Sequence, residues 1–232
     1  AIVCGASKGI GAATAKMLAK AGARVNEVSR NPHDLVAELE GNNHSGISLN
    51  LEDKDAIENF ISTIDECHIL INNASGPPGG PLLDNEVEDF EAPFRRHLHA
   101  SHTLVRGLVP KMEVAGMGRI VNIISTSVRE PIPNIGLSNT LRGAMASWAK
   151  SLSRELPTCI TINNVLPGFT DTDRLGSLAS SINAKTGQSI DEIHEGWMAQ
   201  VPIERLIDPL ETGAAIAYLC MPISGGIRGV SL

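Results

Sequence analysis

Short apolar runs recur along the chain, at residues 1–4, 23–28, 46–51, 68–71, 119–124 and 160–166. They are four to seven residues long and rich in Ile, Val and Leu. Continuous runs of that length suit strands covered on both faces, as in a parallel sheet. The segments between them read as helices. Residues 12–21 are Ala-rich, and 35–39 hold a short turn of helix. Residues 54–64 carry Ile57, Phe60, Ile61 and Ile64 on one helical stripe. Residues 86–115 have room for a long helix, broken or kinked near Pro93, and 138–156 form a strong helix stopped by Pro157. Strands alternating with helices predict an α/β fold, a doubly wound parallel sheet in a single domain spanning 1–232.

Two segments interrupt the alternation. Glycine and proline crowd residues 76–81, just after a strand, where a loop at the carboxyl edge of the sheet would meet a ligand. Residues 173–201 are polar and helical in pattern; a lid or substrate-binding insertion and a plain surface excursion both fit them.

Composition narrows the possibilities. Nineteen Lys and Arg against 26 Asp and Glu give a net charge of −7, which argues against non-specific nucleic-acid binding. No apolar run approaches the roughly 18 residues of a membrane span. No signal peptide is visible, and the first residue is Ala rather than Met, so a few upstream residues are expected to be missing. Cys4, Cys67, Cys159 and Cys220 lack metal-site spacing and read as reduced, buried thiols of a cytoplasmic protein, with no metal.

The stretch Gly5-Ala6-Ser7-Lys8-Gly9-Ile10-Gly11 stands between the first strand and the first helix. Glycines there permit a tight turn and a close approach of backbone to a diphosphate, which the helix N-terminus then favours. The second strand ends at Ser29-Arg30, where an NAD-preferring site would want an acid for the ribose 2′-hydroxyl. Arg30, with Lys8 nearby in the glycine loop, suits a 2′-phosphate instead, so NADP(H) is favoured over NAD(H).

These motifs, with several that follow, resemble the short-chain dehydrogenase/reductase family over essentially the whole chain, and its 3-oxoacyl-ACP-reductase-like members in particular. Gly5, Gly9 and Gly11 match the glycine loop, and Asn72-Asn73-Ala74 matches an Asn-Asn-Ala-Gly motif with Ser75 in place of Gly. Asn50-Leu51 stands where the family keeps an Asp-Val pair near the adenine. Pro167, Gly168, Thr170 and Thr172 fall in a Pro-Gly-x3-Thr segment along the nicotinamide side. Residues 118–125 resemble the strand that leads to the catalytic Ser, and 225–232 resemble the final strand.

The resemblance implies hydride transfer between a nicotinamide cofactor and a carbonyl or alcohol, with a Ser, a Tyr-x3-Lys pair and an Asn as the catalytic set. Ser125 falls on the Ser position. Thirteen residues on, Ser138 and Arg142 stand where Tyr and Lys belong, and His97 holds the Asn position. The one tyrosine, Tyr218, belongs to a different part of the chain. Ser138 is too short to reach the place of a phenol hydroxyl, whereas Arg142 can still donate to ribose hydroxyls and hold a positive field. His97 titrates in the range of a proton donor and equally suits a packed core position. The chain therefore reads as an NADP(H)-binding oxidoreductase with a non-standard proton-transfer site; the alternative is a dinucleotide-binding module, weakly active or inactive, with a sensing or structural role. Non-redox acid/base chemistry in the same cleft is a third possibility that no residue specifies. The family's habit implies a homo-oligomer, dimer or tetramer, with Leu141, Met145 and Trp148 available either to a subunit contact or to the core.

Overall fold

The computed structural model describes the backbone of residues 1–232 and the side chains of all but His33 and Asp34. Six parallel strands, β1 (Ile2–Cys4), β2 (Asn26–Ser29), β3 (Ser45–Ser48), β4 (Ile69–Asn72), β5 (Gly118–Ile123) and β6 (Ile160–Val165), form one sheet in the order β3-β2-β1-β4-β5-β6. The chain winds outward from β1 through α1 (Gly9–Lys20) and α2 (His33–Val36) to β3. It then returns through α3 (Lys54–Ser62) to β4 on the other side of β1. That reversal opens a crevice at the carboxyl ends of β1 and β4, where such folds bind ligands.

Both faces of the sheet are apolar, as the unbroken runs predict. Ile2, Cys4, Leu70, Ile120, Ile160 and Ile162 pack under α3, α5 (Ala100–Val114) and α6 (Gly136–Glu155). The alternate residues Val3, Ile69, Ile71, Val121, Ile123 and Val165 pack under α1 and α9 (Pro209–Cys220). Three asparagines interrupt this pattern at equivalent strand positions. Asn72 Nδ2 donates to Asn122 Oδ1 (2.8 Å), and Asn122 Nδ2 donates to Asn164 Oδ1 (2.9 Å). Asn164 Nδ2 reaches Ser231 Oγ at 3.3 Å, so an amide ladder crosses the sheet inside the core. At the opposite ends of the strands the buried Arg119 donates to the carbonyls of Gly118, Cys159, Met221 and Pro222.

Several boundaries move from those the pattern predicts. The long helix divides into a 3₁₀ turn at Val87–Phe90, α4 (Glu91–Phe94), a π turn at Arg95–His99, and α5. Pro93 sits within α4, where it leaves the helix unbroken, and the irregularity falls after it. The final segment is a single parallel bridge, Asn164 to Ser231, with backbone bonds from Asn164 to Val230 and from Leu232 to Asn164, rather than a full strand. Leu141 and Met145 lie inside the monomer, 0% and 2% exposed, so of the three residues weighed for a subunit contact only Trp148 keeps surface. The four cysteines are free; burial pushes the thiols of Cys4 and Cys220 up to about 12 and that of Cys67 to about 11, which leaves them unreactive.

Candidate active site

The glycine loop and the end of β4 are built as one unit across the crevice. Asn73 Nδ2 donates to the Gly5 carbonyl at 3.0 Å. Gly5 and Gly9 both have φ of +59°, a conformation that side chains disfavour. Gly11 is glycine for a different reason: a Cβ there would stand 2.2 Å from the Gly5 carbonyl oxygen. Gly9 faces Thr172, 3.4 Å from where its own Cβ would be, so the glycine loop and the Pro167–Thr172 segment form opposite walls of one groove. The groove meets the N-terminus of α1, which Lys8 precedes without a side-chain cap, so the first N–H groups of that helix point into it. A diphosphate fits such a cradle.

At the outer end, Ser29 is buried and its hydroxyl donates to Glu27 at 2.8 Å. Arg30 is exposed, and its carbonyl accepts from Ser48. Lys8 does not stand free beside Arg30: its ammonium pairs with Asp173 at 3.3 Å, across the groove. Asn50 accepts from the Glu52 N–H in an Asx turn, and Leu51 turns inward toward the wall of a small cavity below the groove.

At the inner end, Ser125 follows β5 and accepts from the Ser127 N–H at 3.1 Å, which leaves its own hydroxyl proton free to donate. Ser138 lies half-buried on the first turn of α6, and Arg142 follows one turn later. Arg142 is buried and donates to the Ile123 carbonyl at 3.0 Å. Burial, and then the charge of Arg174, pull its pKa down to about 10; it stays protonated at neutral pH. His97 is buried and donates from Nε2 to the Ser75 carbonyl at 3.0 Å. Burial first, and the neighbouring Arg142 charge second, hold its pKa well below 6.5, so the ring is neutral at physiological pH. His97, Arg142, Asn72, Asn73 and Ala74 share a cavity of about 10 Å³, the size of one water molecule. The buried Asn72 Oδ1 has no hydrogen-bond partner within the protein.

Over the groove, α7 (Asp173–Thr186) and α8 (Ile190–Met198) occupy the polar stretch that interrupts the alternation. Thr172 caps α7 by accepting from the Leu175 N–H, while the buried Thr170 bridges to Ile207. The pair has its own small core of Ala179, Ile193 and Trp197, with Phe169 stacked on Trp197 at 5.3 Å. Arg174 Nη2 donates to the Pro77 carbonyl (2.7 Å) and Lys185 to the Gly79 carbonyl (3.3 Å), so α7 sits against the glycine-proline loop. Tyr218 stands on α9, half exposed.

Residue reading alone passed over two arginines here. Arg96 binds Glu52 and reaches Ser75, bracing the loop after β4. Arg174 enters from α7, 97 residues away from its acceptor. Neither belongs to a local motif, and only the fold brings them in.

The architecture is that of a Rossmann-like protein with a glycine cradle at the reversal of its sheet. Residues 1–183 match the family model for short chain dehydrogenase, and the chain belongs to that family. It is 31% identical to the 3-oxoacyl-[acyl-carrier-protein] reductase of Vibrio cholerae over 100% of this chain and 93% of that protein. The Escherichia coli reductase of the same name is 32% identical, with the same coverage. Among solved structures, an actinorhodin polyketide ketoreductase with NADPH superposes with a TM-score of 0.93 at 27% identity, covering 100% of this chain and 93% of that one. YwfH, an NADPH-dependent reductase involved in bacilysin biosynthesis, superposes at 0.90 with 25% identity, covering 100% and 94%.

Proposed function

We propose that the protein is an NADP(H)-dependent oxidoreductase that moves hydride to or from a small carbonyl or alcohol through a proton-transfer site unlike its relatives' usual one. The observation that carries this is the cradle: Gly5, Gly9 and Gly11 shaped for a diphosphate, pinned by Asn73 and faced by Thr172. Arg30, exposed at the end of β2, gives the site its preference for a 2′-phosphate. The NADPH named for two structural relatives agrees with that preference.

A bound nicotinamide supplies the hydride donor or acceptor. This chain's part is positioning and charge. The Ser125 hydroxyl donates to the substrate oxygen, and the fixed charge of Arg142 stabilises negative charge as it develops there. Arg142 holds its proton at neutral pH and His97 is neutral and committed to a carbonyl, so neither serves as the general acid. Protonation falls to water beside Ser138, whose hydroxyl orients it. Residues 173–201 act as the lid, with the single domain extending over 1–232.

The test has two stages. NADPH at about a hundredfold excess over Kd should raise stability by about 2.7 kcal/mol, seen as a shift of several degrees in Tm, and NADH should do less. With a panel of ketones, aldehydes and imines, Ser138→Tyr combined with Arg142→Lys should raise turnover rather than lower it. No shift with either nucleotide refutes the reading. Binding without any turnover assigns the chain to the nucleotide-holding alternative.

A further inference from the structure

The internal arginines of this protein are not equally satisfied. Arg119 is buried and met by four carbonyl oxygens. Arg228 donates to the carbonyls of Ser153, Leu156 and Pro157 at the end of α6. Arg142, 9% exposed, has one carbonyl, and no carboxylate is in ion-pair contact with it among the described residues. A second cation faces it instead. The open side of Gly76, where a side chain would project, lies 3.8 Å from Arg142 Nη2 and 3.8 Å from Arg174 Nη2. The two guanidinium groups are therefore no farther apart than twice that distance. Arg174, exposed on α7, likewise has a single backbone acceptor, Pro77, and no acid among the described residues. Nearby cations on the groove do have acids: Arg96 has Glu52 and Lys8 has Asp173.

A buried charge without a counter-charge is costly, and a like charge drawn up to it adds to the cost. Ribose hydroxyls would give Arg142 hydrogen bonds and leave both charges unopposed. An anion between the two groups removes the conflict, and two planar forks suit a carboxylate. Arg142 is tied to the Ile123 carbonyl, two residues before Ser125, which sets the fork at the same strand end as the Ser125 hydroxyl.

The geometry points to Arg142 and Arg174 as a carboxylate fork over Gly76, and to a small oxo acid, with its carboxylate close to the reacting carbonyl, as the substrate class. This rests on the oxidoreductase reading for the carbonyl, but the fork itself is a binding site that can be measured without turnover. It makes Arg174 the residue that selects an acid over its neutral ester.

The probes are 2-oxobutanoate, 3-oxobutanoate and their methyl esters, titrated into the full chain with and without NADP⁺ and read by tryptophan fluorescence and Tm. Hydrogen bonds to charged groups are worth about 1.5–3 kcal/mol, so at least one acid should bind about tenfold or more tightly than its ester. Salt should weaken the acid and spare the ester. Arg174→Gln should abolish the difference while leaving NADP⁺ affinity unchanged, and Arg174→Lys should restore part of it. Acid selectivity in a protein that binds neither nucleotide supports the fork and removes the cofactor reading instead. Equal binding of acid and ester overturns the fork. So does an Arg174→Gln variant that loses NADP⁺ or inorganic diphosphate affinity as strongly as oxo-acid affinity, because the arginines then serve the coenzyme's own phosphates.

Discussion

Asn122 is the centre of the amide ladder, and replacing it with Leu tests whether that ladder holds the carboxyl ends of the strands in register. The side chain is 0% exposed and makes one bond as acceptor and one as donor. Asn122→Leu keeps the volume close and removes both bonds at once. Asn72 Nδ2 loses its acceptor and Asn164 Oδ1 its donor, and both side chains are buried. Each orphaned polar group costs about 1–3 kcal/mol, so the substitution should destabilise by about 2–6 kcal/mol. Replacing Asn72, Asn122 and Asn164 together by Leu removes the whole ladder and should recover much of that loss, because the one partner left, the Ser231 hydroxyl, is only half-buried and can turn to solvent. Urea unfolding followed by far-UV circular dichroism and by tryptophan fluorescence gives both values, provided the two transitions coincide. A single variant within about 1 kcal/mol of wild type, or a triple variant less stable than the single one, refutes the argument.

Gly11→Ala places a methyl group against a backbone oxygen that cannot swing away, and overpacking of this kind costs about 1–3 kcal/mol. The variant should lose both stability in urea and NADPH affinity; a variant that keeps both shows the cradle to be more pliant than its geometry. His97 sets part of the acid limb of stability. Below its ordinary pKa of 6.5 the unfolded chain takes up a proton that the folded chain refuses, so stability falls as pH drops through that value. The slope contributed is at most about 1.4 kcal/mol per pH unit. His97→Gln keeps an N–H to offer Ser75 and should flatten the decline between pH 5 and 6.5, measured as urea midpoints; parallel profiles for the two proteins count against a neutral buried ring.

The doubly wound sheet was legible because burial on both faces leaves an unbroken apolar run, and the runs that became β4, β5 and β6 stand out for that reason. The edge was less clear. In β3 only Ile47 turns inward, and the run extends to Leu51 because Leu49 and Leu51 fold back into the core after the strand has ended. The glycine cradle could be read because its demands are local, set by three glycines within seven residues. The slip of the helix at Arg95–His99 could not, because one extra residue in a turn leaves no mark on a polar stretch. Arg174 was hidden for another reason: the loop it meets lies 97 residues earlier, and chain folding alone makes them neighbours.

Arg119 carries a consequence for how the polypeptide comes into being. It sits at the start of β5, yet two of its carbonyl partners, Met221 and Pro222, follow it by 102 and 103 residues. During synthesis, everything up to β6 emerges before those acceptors exist. A nascent sheet must therefore wait with a cation at its base held open to water, and the N-terminal strands gain their full stability only when α9 arrives to close the floor.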